Sequence, residues 1–258
     1  MNDSANKQPQ DFETLQSWLH TPLGESLLQQ EARVVEEAFD GIFGEQCLQL
    51  GYWGDPGGFV RLARTQRCAL ITEFPRIDGV SAVGQLHRLP VQNDSIDVVI
   101  LPHTLDYSDR PHGILREVHR VLRSDGQLVV LGFRPGGLWG LRRLVPGAGL
   151  PPGELHLVSE RRLRDWLKLL DMRIHGVTGY FFRWPLPGLR SKPSPQWERR
   201  GQRWWPELSA CYMLSAQKRI STLTPVRPLW RANPKVVAGL AEPSARVSRI
   251  HFDPKNSL

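Results

Sequence analysis

The chain has 258 residues, 40% of them hydrophobic, a mean hydropathy of −0.34 and a formal net charge of +7. That is enough to bury one substantial core, and no apolar run approaches the ~20 residues with which a helix crosses a bilayer. The charge is unevenly divided: residues 1–133 carry 11 Lys and Arg against 18 Asp and Glu, residues 134–258 carry 22 against 8, and seven of the nine tryptophans lie in the basic part.

In chain order, residues 1–12 are polar, predict a disordered start and lack the basic and apolar regions of a secretory signal. Residues 12–43 carry helical patterning, with Leu27, Leu28, Val34, Val35, Ala38 and Phe39 recurring near a 3.6-residue period and Gly41 as the stop. Residues 46–50 predict a first strand leading into Gly51. Residues 56–67 read as loop and short helix, 68–72 as a second strand ending at Glu73, and 80–85 as a third strand on the outer edge. Cys47, Cys68 and Cys211 are scattered and odd in number, which fits a reducing, cytoplasmic setting and argues against a structural zinc site.

Residues 89–135 are the most informative stretch. Ile96-Asp97-Val98-Val99-Ile100-Leu101 is a short apolar run led by one carboxylate, suited to a strand buried on both faces. Ser108 or Asp109 can cap the next helix, with Pro111 in its first turn. Ile114, Leu115, Val118, Val121 and Leu122 form one apolar stripe. Ser124-Asp125-Gly126 ends that helix, Gly126 being free to take positive φ, and residues 128–133 form another buried strand. Strand, helix and strand with short connections predict a right-handed parallel unit. Beyond it, residues 134–155 form a Gly- and Pro-rich connection, Ser159 starts a helix with Leu163, Trp166, Leu167 and Leu170 on its apolar face, and residues 172–182 and 210–217 read as two final strands around a loop and an irregular helix.

This segment resembles the second half of the domain of class I S-adenosylmethionine-dependent methyltransferases, the type 11 group in particular. The resemblance rests on Leu89-Pro90, Asp97-Val98-Val99, Leu115-Arg116-Glu117-Val118, Arg120-Val121-Leu122 and Gly126-Gln127-Leu128-Val129-Val130, in that order and spacing. It implies an α/β fold: a Rossmann-like seven-stranded, mostly parallel sheet with helices on both faces and the last strand antiparallel. It also implies S-adenosylmethionine as cofactor. The domain would span residues 13–220, followed by an extended, Pro-rich basic tail over 221–258.

Such a sheet binds its ligand outside the carboxyl ends of its strands where strand order reverses. By the resemblance, Gly51, Tyr52 and Gly54 lie against the methionine portion, although Gln49 replaces the usual acid and Trp53 stands where a second glycine is common. Glu73, 22 residues past Gly51, is placed to accept the ribose hydroxyls. Gln85 either meets the adenine amino group or faces solvent, with Leu86 on the adenine face. Pro102 and His103 follow the Asp97 strand at the rim where donor and acceptor meet. His103 is the leading candidate for a catalytic base or a positioning group, with Tyr107 and Asp106 behind it. The GxGxxG spacing of dinucleotide-binding turns is interrupted by Trp53 and Pro56, which argues against NAD.

No motif identifies the methyl acceptor. The asparagine-proline-proline-aromatic signature of nucleic-acid amino methyltransferases is absent after Leu101. A small molecule is expected first; RNA or an anionic membrane surface carrying a quinone or lipid is expected second, through the basic, Trp-rich part, whose alternative is a solvated basic face with Trp in the core. Arg134, Arg142 and Arg143 flank the acceptor side and either hold a phosphate or carboxylate or are solvated loop charges. A methyltransferase-like binding or scaffold protein without catalysis is the competing expectation, since Gln49, Trp53 and Gln85 alter several cofactor-contact positions at once.

Overall fold

The computed structural model describes residues 13–74, 78–137, 139–140, 151–183 and 195–219. The expectations for residues 1–12, the 221–258 tail, Arg142 and Arg143 lie outside these residues. Seven strands build one sheet: β1 (Phe43–Leu50), β2 (Arg64–Thr72), β3 (Ala82–Val83), β4 (Ile96–Pro102), β5 (Leu122–Phe133), β6 (Met172–Tyr180) and β7 (Cys211–Lys218), in the order β3-β2-β1-β4-β5-β7-β6. The pairs β3–β2, β2–β1, β1–β4 and β4–β5 are parallel, and β7 runs antiparallel between β5 and β6. Strand order reverses at β1, which pairs with β2 on one side (Leu50 opposite Ile71) and β4 on the other (Gln49 opposite Ile100).

The alternation along β4 separates two cores. Val98 and Ile100 pack with Leu27, Val34, Val35 and Phe39, whereas Val99 and Leu101 pack with Ile114, Leu115, Val118, Val121, Leu163 and Leu167. Helix α2 (Pro22–Phe39) therefore covers one face, and α3 (Pro111–Val121) and α4 (Glu160–Leu169) cover the other. Each such fully buried aliphatic side chain contributes about 1.5–3 kcal/mol.

The helical patterning over 12–43 is divided in two. Residues 13–19 form α1, and α2 starts afresh at Pro22, with the Thr21 hydroxyl accepting from the Gly24 N–H at 3.3 Å. Pro22 has no N–H to continue the first helix but suits the first position of the second. At α3 the capping position is occupied by Arg110, not Ser108 or Asp109; the Ser108 hydroxyl accepts from the Arg110 N–H at 3.0 Å, two residues too early to cap. The turn after α3 also differs from expectation. Asp125, not Gly126, takes positive φ (66°), and Gly126 is small because a Cβ there would stand 2.8 Å from the Arg123 carbonyl oxygen. Strand β5 begins at Leu122, opposite Ile96, and slips in register before Gln127 meets Val98.

The most recognisable residues of this half hold the frame. Asp97 accepts from the N–H groups of Glu45 and Gln46 at 2.8 and 2.9 Å and pairs with Arg123 at 2.9 Å, tying the start of β1 to β4. Arg120 donates to the carbonyls of Leu89 and Val91, and Glu117 accepts from the Leu89 N–H at 2.8 Å, which closes the loop before β4.

Candidate functional site

Beyond the carboxyl ends of β1, β2 and β4 lies a pocket of about 340 Å3, within the range of small-molecule sites. Gly51 lines it at the end of β1. Its φ is +85°, and a Cβ there would stand 2.7 Å from Thr104 Oγ1, which itself donates to the Leu50 carbonyl at 2.5 Å. Only a glycine lets the chain turn out of β1 this close to the residue after β4. Gly54 has φ +70°, but its crowding is with Leu28 of α2 at 2.8 Å, and it does not line the pocket.

The two unusual residues of this turn each donate a hydrogen bond inside the protein, while the buried Gln49 Oε1 has no partner among the described residues. Gln49 is fully buried and donates from Nε2 to the Gly51 carbonyl at 3.1 Å, a bond no carboxylate could make. Trp53 is 1% exposed; its indole N–H donates to Glu31 Oε2 at 2.7 Å and its ring lies 4.3 Å from the His103 ring, so it forms floor rather than filling the cavity.

His103, just past β4, has φ +52° and a fully buried side chain. Nε2 donates to Glu31 at 2.7 Å and Nδ1 to Asp106 at 3.3 Å, while Phe133 lies 4.0 Å away. Burial opposes the charged ring, but the Glu31 carboxylate and the bonds to Asp106 and Glu31 outweigh it and push the pKa up to about 9. With both nitrogens bonded, the ring has no atom left for abstracting a proton from a bound molecule. Tyr180 adds its hydroxyl to Glu31 Oε1 at 3.2 Å, and Asp106 also accepts from the N–H groups of Phe133 and Val158. Glu31, His103 and Cys211 each bring one potential metal-ligand atom within 4.8 Å of the others, but Trp53, His103 and Tyr180 already occupy the Glu31 carboxylate.

Glu73 directly follows β2 on the far wall, where Oε1 accepts from the Leu86 N–H at 3.1 Å and brings Leu86 to the same pocket. Gln85 is exposed, lies outside the lining and uses its backbone carbonyl for the Arg88 N–H. Tyr52 lines the pocket with its phenol pKa raised, first by burial and then by Asp55 nearby, so it remains protonated. Pro102 lines it as well. Of the residues singled out in sequence, Gly51, Tyr52, Glu73, Leu86, Pro102 and His103 meet at one cavity, and Gly54 and Gln85 do not.

The opposite rim consists of residues the sequence did not single out together. Tyr107, Asp109, Glu154 and His156 line it, with His156 Nδ1 3.9 Å from Asp109 Oδ1 and the Tyr107 hydroxyl donating to the Pro152 carbonyl at 3.2 Å. His156 and Asp109 are 47 positions apart in the numbering, and no local pattern links them. Glu31 did leave a signal: it is a carboxylate four residues past Leu27 and three before Val34, on the apolar stripe of α2.

Comparison with known proteins fits this architecture. Residues 60–130 match the family described as a methyltransferase domain. The chain is 31% identical over 175 residues to the uncharacterized protein YafS of Escherichia coli (strain K12), covering 64% of this chain and 68% of that protein. Among solved structures it is similar to an S-adenosylmethionine-dependent methyltransferase of Thermotoga maritima, with a TM-score of 0.53 at 17% identity over 73% of this chain and 89% of that one. It is also similar to the [4+2]-cyclase SpnF, with a TM-score of 0.55 at 17% identity over 82% and 94%. At this identity the structural likenesses concern the fold.

Proposed function

Since this chain belongs to the class I S-adenosylmethionine-dependent methyltransferases, we propose that the pocket beyond β1, β2 and β4 holds the cofactor and that the Asp109–His156 rim receives a small-molecule acceptor. The observation that carries this reading is the pairing, across one cavity, of the Gly51 cradle with the Glu73 carboxylate. The backbone at Gly51, turned out of β1 against Thr104, would hold the methionine portion. Glu73, with Oε1 on the Leu86 N–H, retains Oε2 for the ribose hydroxyls, and Leu86 offers an apolar wall to the adenine. The bound cofactor would supply an electrophilic sulfonium methyl group, transferred by direct displacement, so the protein has mainly to align donor and acceptor.

The side chains divide this work. His103 is a positioning group: held between Glu31 and Asp106, it fixes the backbone after β4 and supports Trp53 beneath the turn. Where an acceptor must lose a proton, His156 beside Asp109 is the group on the rim that can take it. A scaffold without catalysis is not favoured, because the Gln49 amide nitrogen and the Trp53 indole N–H donate to Gly51 and Glu31 and leave the cavity open. No helix among the described residues is long and apolar enough to cross a membrane. The cytoplasm is the proposed site of action, with RNA or a membrane surface as partners of the basic part.

Calorimetry with S-adenosylhomocysteine tests the reading. Wild-type protein should bind it at micromolar affinity and gain melting temperature at saturation. Glu73→Ala should lose on the order of 1.5–3 kcal/mol of that binding. An absence of heat and of any thermal shift would sink the proposal, and unchanged binding by Glu73→Ala would remove Glu73 from the site.

A further inference from the structure

Helix α5 (Pro195–Trp204) has two faces of opposite chemistry. Glu198 and Gly201 face inward. The Glu198 carboxylate accepts from the N–H groups of Phe181 and Phe182 at 3.1 and 3.2 Å, and a Cβ on Gly201 would stand 2.4 Å from the Phe182 ring. Gln196, Arg199, Arg200, Arg203 and Trp204 fall at i, i+3, i+4, i+7 and i+8 on the other side, where they line a shallow depression of about 360 Å3. The apolar surface continues past the helix end: Trp204 is 68% exposed, Trp205 54% and Leu208 39%.

Among the described residues, none of these three guanidinium groups meets a carboxylate, and the neighbouring Glu207 is taken by Arg134 at 2.9 Å. Two tryptophans and a leucine exposed side by side form an apolar patch that marks an interaction surface, and the arginines beside it give that surface a positive charge. It fits a surface that offers phosphates and an apolar layer at adjacent depths. We propose that this face docks the protein on an anionic phospholipid bilayer, with Arg199, Arg200 and Arg203 on lipid phosphates and Trp204, Trp205 and Leu208 in the interfacial layer. A single-stranded nucleic acid would also engage the arginines and stack on the tryptophans, but it would leave Leu208 without an apolar neighbour. The bilayer uses the three arginines, both tryptophans and Leu208.

The placement matters for the pocket. The Glu198 bonds fasten α5 to the residues just past β6, and β6 is parallel to β5, so α5 is tied to the same end of the sheet as the pocket, at the β6 edge. Docking there would let an amphiphilic acceptor pass from the bilayer to the rim. That extension rests on the methyltransferase reading; the docking does not.

The test is sedimentation of the full chain with phosphatidylcholine vesicles containing about 30% phosphatidylglycerol, against vesicles of phosphatidylcholine alone. The expected result is binding to the anionic vesicles with a blue shift of tryptophan emission, and roughly tenfold weaker binding to the neutral ones. The triple variant Arg199→Glu, Arg200→Glu, Arg203→Glu and the pair Trp204→Ser, Trp205→Ser should each lose roughly tenfold or more in vesicle binding. Both should keep wild-type circular dichroism and S-adenosylhomocysteine affinity. No sedimentation with anionic vesicles, or sedimentation indifferent to both variants, overturns the proposal. Single-stranded RNA bound through these residues in preference to the vesicles overturns it in favour of a nucleic-acid partner. Vesicle binding without S-adenosylhomocysteine binding would keep the docking and remove the cofactor reading.

Discussion

The indole N–H of Trp53 donates to the Glu31 carboxylate at 2.7 Å, joining the turn after β1 to the middle of α2. Through this bond a bulky residue occupies a position where the family commonly has glycine without closing the pocket. The same carboxylate holds His103 and Tyr180, so three elements of the site converge on one buried side chain.

Glu31→Ala removes the acceptor of all three groups and leaves the His103 charge partly unpaired in the core. Chemical denaturation should show a loss on the order of 3–5 kcal/mol, the cost of breaking a buried ion pair on one side. Glu31→Gln, which keeps an acceptor oxygen, should lose less. A denaturation midpoint for Glu31→Ala equal to wild type would contradict the network.

The pH dependence of stability carries the same signature. The His103 pKa is raised from 6.5 to about 9, so the stabilisation is fully present below pH 6.5 and fades as pH rises through about 9. Melting temperature followed from pH 6 to 10 should therefore decline over that window. His103→Gln should be less stable at pH 6 and flatter across it. Burial also raises the Cys211 thiol, which penalises folding only above the ordinary thiol range near 8.5, so subtracting the variant curve isolates the histidine. Parallel curves for the two proteins would argue against a charged His103.

Gly51→Ala and Gly41→Ala separate backbone strain from crowding. Both glycines have positive φ, +85° and +89°, but a Cβ at Gly51 meets Thr104 at 2.7 Å and one at Gly41 meets nothing within 4 Å. Gly41→Ala should cost about 1–2 kcal/mol in stability and leave S-adenosylhomocysteine affinity alone. Gly51→Ala should cost more and weaken ligand binding. Equal behaviour of the two variants would place the ligand away from Gly51.

Asp97→Ala should do the reverse of Glu73→Ala. It removes an acceptor of two β1 N–H groups and the partner of Arg123, so stability should fall by about 1–3 kcal/mol. Ligand affinity per folded molecule should stay at the wild-type level. A selective loss of affinity would show that Asp97 belongs to the site rather than to the frame.

Much of the fold was legible because the signals are local. Val98 to Leu101 alternate between two cores, and the stripe Ile114, Leu115, Val118, Val121 is a 3.6-residue period that any reader of the chain can count. The resemblance rested in part on Asp97 and Arg120, and these prove to be framework residues that tie β1 and the 89–93 loop in place. Turn details were less legible. Arg110 and Asp125 hold positions assigned to Ser108 or Asp109 and to Gly126, because the choice among adjacent turn residues depends on close contacts such as the approach of Gly126 to Arg123.

The site divides in the same way. Gly51 and Glu73 stand at strand ends, so the order of the strands already pointed to them as facing one crevice. The partners of His103 were not accessible to such reasoning: Glu31 lies 72 residues away on α2, and whether the ring meets solvent or two carboxylates depends on how that helix packs. The same holds for His156 and Asp109, brought to 3.9 Å by the connection between β5 and α4. Period and spacing act along the chain and set the strands, helices and family of this protein. Burial, charge pairing and the availability of a nitrogen lone pair act through space, and they come into being when distant segments are pressed together. Hence the sequence placed His103 at the rim, and packing made it a buried support.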